Sequence, residues 1–141
     1  MREAIPEANR LIGAIASHDI SVPPSRLEAF IARAAAGIAA LDPTVRINCF
    51  GHLGDGNLHY NAYPAKGHKR DEYEAIRKPL TRLVHDLAHE LGGSVAAEHG
   101  VGRLKTADVL RYADPGKLAV MRKLKAALDP DGILNPGVIF A

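Results

Sequence analysis

The sequence predicts an α+β fold, a split βαβ sheet with its helices on one face, preceded by an N-terminal helix and followed by a C-terminal helix and tail. Three observations predict it. Two long segments repeat apolar residues at helical spacing, short segments around them alternate apolar and polar residues, and Asp55-Gly56 lies between two extended arms as a hairpin signal.

Residues 4–16 are rich in Ala and Ile and read as a helix despite Pro6. His18 to Val22 alternates as a strand, which Pro23-Pro24 ends. Ser25-Arg26-Leu27-Glu28 has the form of a capping box, and Leu27, Phe30, Ile31, Ala34, Ile38 and Leu41 then fall on one stripe. Hairpin arms follow at 45–51 and 58–63, then a polar loop through Gly67. A long helix runs to Leu91, burying Tyr73, Ile76, Leu80, Leu83, Leu87 and Leu91; Pro79 should kink it or mark its first turn, and Gly92 suits the position just past its end. The segment 92–102 reads as a short buried strand ending in Glu98-His99, with glycines after it. The order strand, helix, strand, strand, helix, strand is that of ferredoxin-like domains. Asp114-Pro115 can then start a last helix through Leu118, Met121, Leu124 and Leu128, which Asp129-Pro130-Asp131-Gly132 breaks before an extended tail at 133–140.

With 141 residues, 47% hydrophobic and 24% charged, the chain is expected to form one domain with a buried core. A net charge of +2 without basic and aromatic residues interleaved argues against nucleic acid as a partner. The single cysteine, Cys49, excludes an internal disulfide and reads as a buried, inert thiol. No apolar run approaches a membrane span and the N-terminus lacks a signal-like block, so the expectation is a soluble cytoplasmic chain, peripheral to a membrane at most.

Chemistry concentrates in the hairpin. A two-residue turn at Asp55-Gly56 pairs Gly54 with Asn57, Leu53 with Leu58 and His52 with His59, so both imidazoles leave one face close enough to share a divalent metal. In this register Ile47, Cys49, Leu53, Leu58, Tyr60 and Ala62 pack on helices, while Asn48, Phe50, His52, His59, Asn61 and Tyr63 form the other face. The competing reading is that the two histidines only cap a polar turn. Glu98 and His99 end the later strand, and Gly100 and Gly102 permit the bend that would bring both to one site. Two His and one Glu leave coordination positions open, as in a catalytic metal site, with His99 as general base.

Other candidates weigh less. His85 and His89 lie opposite the leucine stripe and read as a solvated helix face, and His68 belongs to a charged loop. Gly51, Gly54 and Gly56 lack the dinucleotide-binding spacing, and Gly100 to Lys105 reads as a bend before it reads as an anion cradle.

The motifs Gly-His-x-Gly-Asp-Gly-Asn-x-His (51–59) and Ala-Glu-His-Gly (97–100), with residues 18–23 and 129–137, resemble the C-terminal domain of FAD-linked 2-hydroxy acid dehydrogenases. That family includes D-lactate and D-2-hydroxyglutarate dehydrogenases and the flavoprotein subunit of glycolate oxidase. The resemblance covers nearly the whole chain. It implies His52, His59 and Glu98 as ligands of a divalent metal (Zn, Mn or Fe), and His99 as the base that takes the substrate hydroxyl proton. It also implies substrate contacts from Asn61 and Arg2, and makes Asn135 a candidate flavin contact. Pro6 stands where D-2-hydroxyglutarate dehydrogenases carry a hydroxyl residue, and Ser17 where relatives often have a lysine. A lactate- or glycolate-like monocarboxylate is therefore expected over D-2-hydroxyglutarate.

Residues 1–141 would then be the substrate and metal domain, with FAD held mainly by a domain absent from the chain. The partners expected are the 2-hydroxy acid, that FAD-binding domain and, for a homodimer, a second copy. Two rivals remain at this point: a freestanding ferredoxin-like metal-binding module without catalysis, and metal-assisted hydrolysis.

Overall fold

The structure, a computed structural model, describes residues 11–139. They form two compact units, one ending at Glu98 and the other starting at His99.

The first unit is built on a three-stranded antiparallel sheet in the order β1-β3-β2, with β1 at Ala16–Ser21, β2 at Arg46–His52 and β3 at Asn57–Tyr63. Helices α1 (Leu27–Leu41) and α2 (Glu74–Glu90) join the strands in the expected split arrangement. Ala16 and Ile20 of β1 and Leu58, Tyr60 and Ala62 of β3 alternate onto one sheet face. They meet Phe30, Ala34 and Ile38 of α1 and Leu80, Val84 and Ala88 of α2 in one hydrophobic core. Both helices therefore cover the same face, and the other face is left for polar side chains. Ile47 is 37% exposed and Cys49 is half-buried, because β2 is an edge strand that the helices cover little. The partial burial of Cys49 pushes its thiol pKa up.

Several local expectations are revised. The chain enters α1 through a 3₁₀ turn at Pro24–Arg26, and no side chain caps the helix, so Ser25 to Glu28 do not act as a capping box. α2 runs unbroken through Pro79, its first turn preceded by a 3₁₀ turn at Arg70–Tyr73. Its buried arc is Leu80, Val84, Leu87 and Ala88. Leu83 instead lies against Gly37 of α1, since a helix wedged between a sheet and a second helix needs a wider apolar arc than one stripe. His85 is buried, not solvated, in edge contact with His18 from β1 at 5.4 Å, whereas His89 is exposed. His18 Nδ1 is 2.7 Å from the carbonyl oxygen of Tyr60 and so donates to it.

The end of α2 determines where the next segment goes. Gly92 adopts φ +78° and donates to the carbonyl of His89, and Gly93 donates to that of Ala88, which together make a Schellman turn. The chain then meets β1 at one bridge, Ser21 to Ser94, rather than along a full strand. Ser94 Oγ bonds the backbone of Ala96, and this local turn draws the segment out of the ladder. The bridge still places it beside β1, the outer position of a fourth ferredoxin-like strand.

The second unit contains α3 (Thr106–Tyr112) and α4 (Pro115–Leu128). Asp114 accepts from the backbone N–H of Lys117 at 2.8 Å and Pro115 occupies the first turn, as the sequence indicates. Of the expected stripe only Leu118 is buried; Leu124 and Leu128 are exposed, because a unit with two helices and no sheet has no second layer to cover them. The turn after α4 is held by Asp129, whose carboxylate accepts from Ile133 N, Leu134 N and the Lys125 ammonium. The Lys125 bond leads in holding the Asp129 pKa below the usual carboxylate range.

Candidate metal centre

The hairpin loop has four residues. A 3₁₀ turn at Leu53–Asp55 is closed by Gly56 in the left-handed region at φ +67°, and β2 pairs with β3 so that His52 faces Asn57 and Phe50 faces His59. The expected pairing of His52 with His59 is therefore displaced by two residues. A slip of one would have sent the two histidines to opposite faces, but a slip of two keeps them on one face as diagonal neighbours. Their ring centroids are 6.2 Å apart, and the Phe50 ring lies 5.1 Å from that of His59. Leu53, expected to pack on helices, is instead in the turn and 72% exposed.

Glu98 completes the cluster. His52 Nε2 lies 3.1 Å from Glu98 Oε1, and His59 Nε2 lies 3.6 Å from Glu98 Oε2. One donor atom from each of the three residues falls within 4.8 Å of the others. Donors about 2.0 to 2.2 Å from a tetrahedral ion lie roughly 3.3 Å from one another, so small side-chain rotations would accommodate a divalent cation. Two imidazoles and a carboxylate suit Zn, Mn or Fe. The group fits.

Two residues not anticipated from sequence underlie this arrangement. Asp19, buried on β1, accepts from Asn57 Nδ2 at 2.8 Å through Oδ1 and from the backbone N–H of Glu98 at 2.8 Å through Oδ2. Its backbone carbonyl also accepts from Ala97 N at 3.2 Å. Asn57 donates additionally to the carbonyl of Ile20, which fixes its amide and leaves the buried Oδ1 without a hydrogen-bond partner among the described residues. A buried aspartate is almost always paired, but β1 is a polar strand in sequence, and nothing local marks Asp19 as its buried charge.

The remaining predicted residues stand as follows. Asn61 is buried on β3, on the same face as His59 and opposite Ser17 of β1. His99 is exposed and begins the second unit. Asn135 is exposed at φ +47° in a turn where its carbonyl accepts from Val138 N. Arg2 and Pro6 lie outside the described residues. The sheet is wholly antiparallel, so the described residues contain no parallel βαβ unit of the kind that cradles a dinucleotide.

The whole pattern is that of a known class of domain. Residues 1–139 match the family of FAD linked oxidases, C-terminal domain, and the chain belongs to it. An uncharacterized FAD-linked oxidoreductase of Mycobacterium tuberculosis is 41% identical over 94% of this chain and 27% of its own length. The D-2-hydroxyglutarate dehydrogenase of Stutzerimonas stutzeri is 38% identical over 88% of this chain and 27% of its own length. Glycolate oxidase subunit GlcD of Bacillus subtilis is 37% identical over 99% of this chain and 29% of its own length. The chain thus spans between a quarter and a third of these relatives. No helix among the described residues is long and apolar enough to cross a membrane.

Proposed function

We propose that the chain is the substrate- and metal-binding part of a flavin-dependent dehydrogenase that oxidises a small D-2-hydroxy acid, lactate- or glycolate-like, to the 2-oxo acid. The observation that carries this is the meeting of His52, His59 and Glu98, from a hairpin and a distant segment, within the reach of one cation. Those three residues would hold the ion and leave coordination positions free for a ligand. A divalent ion there would act as a Lewis acid toward the carboxylate and hydroxyl oxygens of the substrate. FAD, bound mainly by another domain of the same polypeptide, would supply the hydride acceptor.

His99 takes the hydroxyl proton, Asn61 contacts the substrate, and Arg2 grips its carboxylate as a planar two-pronged donor. A monocarboxylate is favoured because Ser17 faces Asn61 across the β1-β3 pair, on the face that carries His59. A lysine at position 17 would place an ammonium there for a second carboxylate, and serine does not. The names of the relatives, which span a dicarboxylate dehydrogenase and a glycolate oxidase subunit, are compatible with either choice.

The test is anaerobic mixing of the FAD-containing polypeptide with D-lactate, glycolate or D-2-hydroxyglutarate while flavin absorbance is followed. Bleaching by a monocarboxylate, slowed sharply by His99→Ala at unchanged metal content, is expected. Bleaching by none of the three would remove the functional reading, and a clear preference for D-2-hydroxyglutarate would remove the substrate assignment. The isolated 141-residue chain should bind metal without turnover, and a stoichiometric flavin spectrum in it would contradict that.

A further inference from the structure

We propose that Asp19 is a positioning residue for the metal cluster, one that sets the donor nitrogen of His59 and the backbone of Glu98 with a single carboxylate. This rests on the reading that His52, His59 and Glu98 hold a divalent cation.

The geometry divides the work between the two oxygens. Oδ2 accepts from the Glu98 N–H at 2.8 Å, a contact between residues 79 apart in sequence. Oδ1 lies 4.0 Å from His59 Nδ1, while the opposite nitrogen of that ring, Nε2, points toward Glu98. At 4.0 Å the first contact orients the ring by charge without a direct bond. A carboxylate beside Nδ1 favours the tautomer with its proton there, so the lone pair of Nε2 faces the cation position.

The Asp19 side chain is only 7% exposed, so little water screens its field. Asn57 Nδ2 bonds Oδ1 at 2.8 Å and holds the carboxylate in place. One side chain on β1 thereby ties the hairpin ligand to the ligand that comes from beyond α2. Metal-bound histidines commonly use their second nitrogen in this way, and losing such a partner typically costs 10–100-fold in affinity.

The experiment uses the 141-residue chain with Zn²⁺ or Co²⁺ alone as probe, titrated against a competing chelator, and reads the His59 tautomer by ¹⁵N NMR of the metal-free chain, where no ion fixes it. For Asp19→Asn the expected result is a roughly 10–100-fold loss of affinity, with the Nδ1-protonated tautomer of His59 no longer favoured. Wild-type affinity in Asp19→Asn would overturn the proposal, and so would lost affinity with the tautomer unchanged, since that marks general loosening. If Asp19→Asn does not fold, the wild-type spectrum decides. A proton on His59 Nδ1 in the metal-free wild-type chain supports the assignment, and a proton on Nε2 overturns it. Failure of the wild-type chain to take up either metal would instead refute the metal reading itself, and this proposal with it.

Discussion

Replacing Gly56 with alanine should cost far more than any other single methyl group in the hairpin loop. Gly56 sits at φ +67°, where a residue with a β-carbon is disfavoured by about 1 kcal/mol or more. A β-carbon placed there would lie 1.9 Å from the carbonyl oxygen of Val22, so the loop must move away from Val22 by more than an ångström. That movement breaks the 3.0 Å bond from Val22 N to the Gly56 carbonyl, worth about 1 kcal/mol net. Residual crowding adds roughly 1–3 kcal/mol. The sum is on the order of 3–5 kcal/mol, a fall in melting temperature of roughly 10–20 °C for a chain of this size. Gly54 is the internal control, because it has no neighbour within 4 Å of the added carbon and no positive φ, so Gly54→Ala should stay within about 0.5 kcal/mol. Far-UV circular dichroism melts of the two variants measure the difference. Equal melting temperatures would refute the loop geometry from which the cost was worked.

Other expectations are smaller or concern different regions. Tyr60 buries a hydroxyl with no hydrogen-bond partner among the described residues, and that burial pushes its phenol pKa well up; Tyr60→Phe should therefore be neutral or stabilising by up to about 1 kcal/mol in urea unfolding, and a clear loss would reveal a further partner. Asp114→Ala removes the cap of α4 and should destabilise by about 1 kcal/mol, visible as faster hydrogen exchange at Lys117 and Leu118. Asp129 has its pKa lowered by Lys125, so the turn it holds is stable above the ordinary carboxylate pKa and is lost as pH falls through the depressed folded value. NMR signals of Ile133 and Leu134 should report that loss, and insensitivity at the acid end would contradict it. Zn²⁺ at about 100 times its dissociation constant should stabilise the chain by about 2.7 kcal/mol, and both His52→Ala and Glu98→Gln should remove the effect.

Much of the sheet and its helices was legible because periodicity marks a face. The alternation of β3 placed Leu58, Tyr60 and Ala62 in the core and His59 on the other side, and the shape of the site depends on that parity. The turn was harder to read. Asp-Gly suits a two-residue turn, but it also fits a 3₁₀ turn ending in a left-handed glycine, and only contact between Gly56 and Val22 separates the two. His85 was misplaced for a related reason. Its burial depends on His18 reaching across from β1, a tertiary contact with no local signature. Glu98 was found by its motif, yet the expected strand shrank to one bridge because Ser94 bonds its own neighbourhood. Asp19 was passed over since nothing near it in sequence explains why a charge should lie inside a strand.

The Ser21–Ser94 bridge has a consequence for folding. The hairpin can close early, since its two imidazoles are seven positions apart along the chain. The carboxylate arrives only after α2 has ended in its glycine turn and delivered the chain to the outer edge of β1. A nascent or partly unravelled molecule therefore offers a pair of donors, and only the finished unit offers three. If the three donors hold an ion as proposed, its tight uptake would therefore require that this last edge has docked.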